Sequence, residues 1–123
     1  MKKIFVICPV RNVNEETKKS INDYVLGLEL DGVSVHWPSR DTNQDDPIGI
    51  NICQQNREAI FFADEIHIWF DESSQGSLFD IGMTFAFLRN SNKKIVLINK
   101  DEISPTSHKS FQNVLLGLAR ASS

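Results

Sequence analysis

The chain has 123 residues, 41% of them hydrophobic and 24% charged, with a net charge of −3. That length allows one domain, 1–123, with a real core, and is too short for two. The negative balance excludes a general attraction to DNA, RNA or an acidic membrane, so any anion must be held locally. No run approaches the length of a membrane span. Cys8 and Cys53 lie far apart, without CxxC or His-spaced companions. They read as buried free thiols of a reducing compartment, with a reactive Cys8 as the alternative. His36, His67 and His108 show no ligand spacing, so no metal site is expected of them. The opening MKKIFVICP has too short an apolar run for a signal peptide, and a cytoplasmic location follows by default.

Ile4 to Cys8 is a continuous apolar run, the mark of a strand covered on both faces. Pro9-Val10-Arg11-Asn12 is the loop after it. Glu15 and Glu16 open a helix whose Ile21, Val25 and Leu28 share one face, and Asp31-Gly32 ends it. Val33 to Trp37 alternates as an edge strand does and stops at Pro38. Ser39 to Pro47 is the most polar loop in the chain. A second helix begins near Ile48 or Gly49 and runs to Phe62 or Ala63, with Ile52, Ala59 and Ile60 on roughly one side.

Glu65 to Phe70 is β-branched and aromatic, as a central strand should be. His67 on it reads as a hydrogen-bonded core histidine. Asp71 to Gly76 breaks the pattern with turn-forming residues. The next segment is too long and apolar for a loop and predicts a helix opening on Gly76-Ser77. From Leu78 to Leu88 that helix is apolar nearly all round, so it needs cover on every side. A sheet covers one side only; a subunit interface or a neighbouring helix must supply the rest. Asn90-Ser91-Asn92 is a turn, Lys94 to Ile98 a buried strand, and Asp101 to Thr106 a loop. Phe111, Val114, Leu115 and Leu118 mark the last helix.

Strands and helices alternate throughout. The pattern predicts an α/β fold of three layers, a flavodoxin-like or Rossmann-like parallel sheet in the order 2-1-3-4 with helices on both faces. Its switch point lies between the first and third strands. Cys8 to Asn12, the Ser39 to Pro47 loop and Asp71 to Gly76 would then surround one crevice.

The sharpest local signal is Gly76-Ser77-Leu78-Phe79-Asp80-Ile81-Gly82. Gly76 lets a ligand approach the backbone, Ser77 adds a hydroxyl at the helix start, and Asp80 presents a carboxylate one turn in. The same spacing is that of a capping box, with Asp80 folded back on the Ser77 amide. In the polar loop, Arg40 offers a bidentate donor to a phosphate, and Asp41, Asn43 and Gln44 offer polar contacts to a base. A solvated turn accounts for them equally, and the acids there lack the spacing of an EF-hand. Asn56 and Arg57 line the crevice or an exposed helix face. Arg11 meets an anion or water.

With a buried strand, an acidic loop and this glycine motif in sequence, the chain resembles the nucleoside 2-deoxyribosyltransferase superfamily, which includes nucleotide N-glycosidases. Those enzymes carry Gly-Ser/Thr-x-x-Glu-hydrophobic-Gly on the helix. The resemblance implies cleavage or transfer at the N-glycosidic bond of a nucleoside or nucleotide, without cofactor, by a homodimer or larger assembly. By position Asp80 is the nucleophile, one methylene shorter than the usual glutamate, roughly an ångström of reach. Gly76 and Ser77 then lie near the sugar or its phosphate, with Cys8 and Pro9 closing the first strand. The companion acids of the family fall on Asn56 and on Ser74 or Gln75, leaving Asp71 or Glu72 as proton donor to the leaving base. Two other readings remain open: a nucleotide-binding module that has lost efficient chemistry, and a TIR-like NAD-cleaving domain.

Overall fold

The computed structural model describes all of residues 1–123. Four strands, β1 (Lys3–Ile7), β2 (Ser34–His36), β3 (Glu65–Ile68) and β4 (Lys94–Leu97), form one parallel sheet in the order β2-β1-β3-β4. Five helices join or follow them: α1 (Glu15–Leu30), α2 (Pro38–Asp41), α3 (Ile50–Phe62), α4 (Gln75–Leu88) and α5 (Phe111–Ser122). A 3-10 turn at Lys100–Glu102 follows β4. The expected α/β architecture and strand order are both present.

The apolar runs of β1 and β3 feed two cores, because successive side chains point to opposite faces. Phe5 and Ile7 of β1, Ile66 and Ile68 of β3, and Ile95 and Leu97 of β4 meet Ile60 of α3, Ile81 of α4 and Leu115 of α5. Ile4, Val6 and Cys8 meet Ile21 and Val25 of α1 with Val35 of β2. Three long helices therefore cover one face and a single helix the other. Side chains as buried as Phe5, Ile60 and Ile66 each contribute about 1.5–3 kcal/mol on burial.

Local chemistry sets the ends. Asn14 caps α1 by accepting from the Thr17 amide at 2.7 Å, and Gly49, at φ 95°, turns the chain into α3 in a conformation that favours glycine. The Ser39 to Pro47 segment is not all loop, since Pro38 at the first helical position starts the one-turn α2. Helix α4 begins at Gln75 rather than on Gly76-Ser77, because the Ser74 hydroxyl accepts from the Ser77 amide at 3.2 Å. The capping-box reading of Asp80 falls with this: the cap is Ser74, and Asp80 stands in the second turn. No helix is long and apolar enough to cross a membrane.

Candidate active site

Asp80 leaves α4 on the side facing α3, where Asn56 meets it. The Asn56 amide donates to Asp80 Oδ2 at 3.4 Å. Asn56 is 5% exposed, and its carbonyl accepts from the Thr42 hydroxyl at 2.7 Å. Thr42 Oγ1 in turn lies 2.7 Å from His36 Nε2. A thread of four polar side chains thus runs from the edge strand β2, through the loop after α2, to the helix after β3.

Burial pushes the Asp80 carboxyl up to about 7, and the Asn56 amide opposes that only in part. The Asp80 carboxylate takes part in no ion pair within 4 Å. An acid held half-ionised near neutral pH, without a paired cation, can serve as a nucleophile or exchange a proton. Its charge also reaches two thiols. Cys8, at the carboxyl end of β1, is pushed up to about 11, first by burial and then by Asp80, while Trp37 draws it down. Cys53 on α3 is raised by burial and by the charges of Asp80 and Asp46. Burial favours the protonated thiol at Cys8, which weighs against a reactive role for it. The Trp37 indole N–H, buried beside Cys8, makes no well-formed hydrogen bond, and its pull on the thiol is that of a nearby donor.

Ser77 is 2% exposed and its hydroxyl accepts from Ser74 at 2.9 Å, so both serines serve the turn into α4 beneath Asp80. Gly76 is exposed and open, with nothing within 4 Å of where a Cβ would stand. Asp71 binds the Ser73 amide and hydroxyl at 2.9 and 2.7 Å, ordering the loop after β3.

The polar loop is put to a different use from the one expected. Arg40 spends its guanidinium on Glu29 at 2.9 and 3.0 Å and on Asp41 at 2.8 and 2.9 Å, lying over the Trp37 ring. Asp41 also accepts from the Trp37 amide, and Gln44 donates to the Pro38 and Thr42 carbonyls. These three residues fix the connection between β2 and α3 and are not gathered beside Asp80. Arg57 turns outward to Glu58. Arg11 is exposed on the loop after β1.

A crevice of about 550 Å³ opens at the carboxyl ends of the strands, bounded by Pro9, Asn12, Thr17, Asp71, Glu102 and Gln112 among others. A second, of about 580 Å³, lies against α1 between Cys8, Pro9 and Trp37. Both are where a parallel sheet places ligands, and Pro9 borders each. Asp80 lines neither. No group of three or more His, Cys, Asp or Glu is arranged to hold a metal ion. The sequence reading named His36 and Cys53 but not as parts of this site, and it gave Thr42 no role; a threonine in a polar loop carries no signal of its own.

The structure resembles that of a CMP N-glycosidase from Clostridium botulinum, BcmB, with a TM-score of 0.60 and 21% identity over 96% of this chain and 83% of that one. No family model matches the sequence, and no curated protein does. At that identity the likeness establishes a shared fold.

Proposed function

We propose that residues 1–123 act as one N-glycosidic catalytic domain on a nucleoside or nucleotide, with Asp80 as nucleophile. The observation that carries this is a desolvated carboxylate without an ion-pair partner, one turn beyond the helix start that follows β3. The fold shared with a CMP N-glycosidase supports it. In the reaction the ionised Asp80 attacks C1′ of the sugar, the C1′–N bond breaks, and the base leaves with its electron pair. The base takes its proton from the acid form of Asp71, which lines the crevice after β3 that Asp80 does not reach. Water then opens the glycosyl–Asp80 ester in a hydrolase, or a second base does so in a transferase.

The test is a base-release assay on deoxyribo- and ribonucleosides, their 5′-monophosphates and NAD. Release from one class, lost in Asp80→Asn, supports the reading and names the substrate. Full turnover in Asp80→Asn overturns Asp80 as nucleophile. A second reading, a nucleotide-binding module, draws on one observation: Asp80 lines neither of the two crevices described above. Silence across the panel, with thermal stabilisation by one nucleotide, would select that module.

The proposed enzyme is a homodimer or larger. Phe61, Phe62, Phe79 and Phe85 are 52–62% exposed on the outer surface of α3 and α4. Taking about 200 Å² for each side chain, they leave about 450 Å² of aromatic surface in water, over half of the roughly 800 Å² each partner contributes to a standard interface. No charged residue lies between Asp80 and Arg89, so a second copy meets no like charge on that stretch. Phe79→Glu with Phe85→Glu is expected to give a monomer by light scattering; a wild-type monomer at micromolar concentration would refute the assembly.

A further inference from the structure

We propose that Thr42 and His36 are positioning residues for Asp80, acting through Asn56 to hold the amide N–H toward the carboxylate. This rests on Asp80 being the functional carboxylate. Neither residue was singled out by its sequence motif, and neither touches the place where substrate would react.

Donors and acceptors must match along the buried thread. An ionised carboxylate can only accept, so the Asn56 NH₂ must face Asp80. The Asn56 carbonyl then faces Thr42 and takes its hydroxyl proton. With that proton used, the Thr42 oxygen accepts, and His36 must present Nε2–H. Each link fixes the next. Asn56 and Thr42 are 5% and 4% exposed, so water does not substitute for a missing link.

Protonated Asp80 also allows the opposite arrangement. It can donate to the Asn56 carbonyl, the amide turns, Thr42 donates to His36, and His36 must hold its proton on Nδ1. The thread therefore has two hydrogen-bonded directions, the second open only when the acid is protonated. His36 selects between them by which nitrogen carries the proton.

The groups around the two ends are few. Asp80 is faced by Cys8 from β1 and by Cys53 and Asn56 from α3, both thiols being protonated. His36 is faced by Asp41 and Arg40 from α2 and stacks on Phe5 of β1, ring centroids 5.4 Å apart. Burial lowers His36 first, Asp41 opposes that, and Arg40 adds to it. His36 is thus neutral at pH 7 and free to take either tautomer.

The experiment follows the Asp80 side-chain carboxyl by ¹³C NMR through a pH titration of the whole chain, beside base release over the same range. Thr42→Val keeps the shape and removes the hydroxyl, so the Asn56 amide loses its anchor. Its Asp80 midpoint is expected to rise by about half a unit to one unit, the size of one lost hydrogen bond. Thr42→Ser should restore it. Base release in Thr42→Val should fall about 3- to 10-fold in kcat below the midpoint and recover above it, at constant KM. An unchanged Asp80 midpoint in Thr42→Val overturns the proposal. Should Thr42→Val not fold, His36→Phe retains the ring on Phe5 and removes only the nitrogen; a rise of the midpoint supports the thread and no change refutes it. The titration does not depend on turnover. A shifted midpoint in a protein that releases no base would uphold the thread and defeat the N-glycosidic reading, whereas normal release with an unshifted midpoint would do the reverse.

Discussion

The two faces of the sheet each bury a polar network, and the networks end differently. On the α1 face, the Tyr24 hydroxyl lies 2.6 Å from His67 Nδ1, His67 Nε2 lies 2.8 Å from Glu65, and Glu65 pairs with Lys2 at 2.9 Å. Burial pushes Glu65 up, but His67 and Lys2 bring it below its ordinary range. Burial lowers His67, Glu65 opposing, so a neutral ring accepts from Tyr24. That network finishes at a cation. On the α3–α4 face the thread from His36 finishes at Asp80, which has one long hydrogen bond and no cation. Paired groups hold a fold together, whereas an unpaired buried acid costs stability and is kept where chemistry needs it.

The largest effect expected from this contrast belongs to Asp80→Asn. If Asp80 is the nucleophile as proposed, base release should drop by about three orders of magnitude or more. The same change should raise Tm at pH 8, because an amide has no charge to desolvate; a lower Tm would show that the Asp80 carboxylate is stabilising after all.

The pH dependence sharpens it. Asp80 is raised in the folded state from 3.8 to about 7. The folded chain therefore binds the proton more tightly than the unfolded one, and the stability this gives is present below pH 4 and lost as pH rises to about 7. His36 and His67, both lowered, slope the other way in both proteins, so the Tm of wild type relative to Asp80→Asn should fall between those values. If Asp80 is the nucleophile, base release should rise over the same interval as stability falls.

Tyr24→Phe tests the other face. It removes one partly buried hydrogen bond and leaves His67 Nδ1 unsatisfied, for a loss of about 1–2 kcal/mol by chemical denaturation. Base release by the remaining folded protein should not change. Any shift in its pH profile would mean the two networks communicate through the sheet.

Arg40→Ala should do least. Its guanidinium is 37% exposed and its pairs with Glu29 and Asp41 are worth about 0–1 kcal/mol each in water. Unchanged KM would confirm that Arg40 braces the loop; a large rise in KM would restore it as a phosphate ligand.

Much of the fold was legible because the signals are local. The apolar runs at Ile4 and Glu65, the Asp31-Gly32 stop and the spacing in the last helix each depend on neighbours within a few residues. Helix starts were less so: the serine that caps α4 was Ser74, and Ser77, three residues on, offered the same chemistry. The site was half legible. Asp80 and Asn56 were named from a motif and a resemblance, and the structure does bring them together. Arg40 was named on charge, and Glu29, eleven residues earlier, claims it.

The chain's local pattern settled the alternation of strands and helices, hence a parallel sheet, and put a carboxylate just inside the helix after its central strand. Those follow from periodicity and turn chemistry, which act over a few residues. Only the tertiary structure decided what that carboxylate experiences. Because β1 lies between β2 and β3, the loop bearing Thr42, the helix bearing Asn56 and the helix bearing Asp80 converge on one face. Burial there, with no cation within reach, raises an ordinary aspartate toward neutrality. Desolvation and pairing depend on distance in space, and residues 42, 56 and 80 acquire theirs only when the sheet closes.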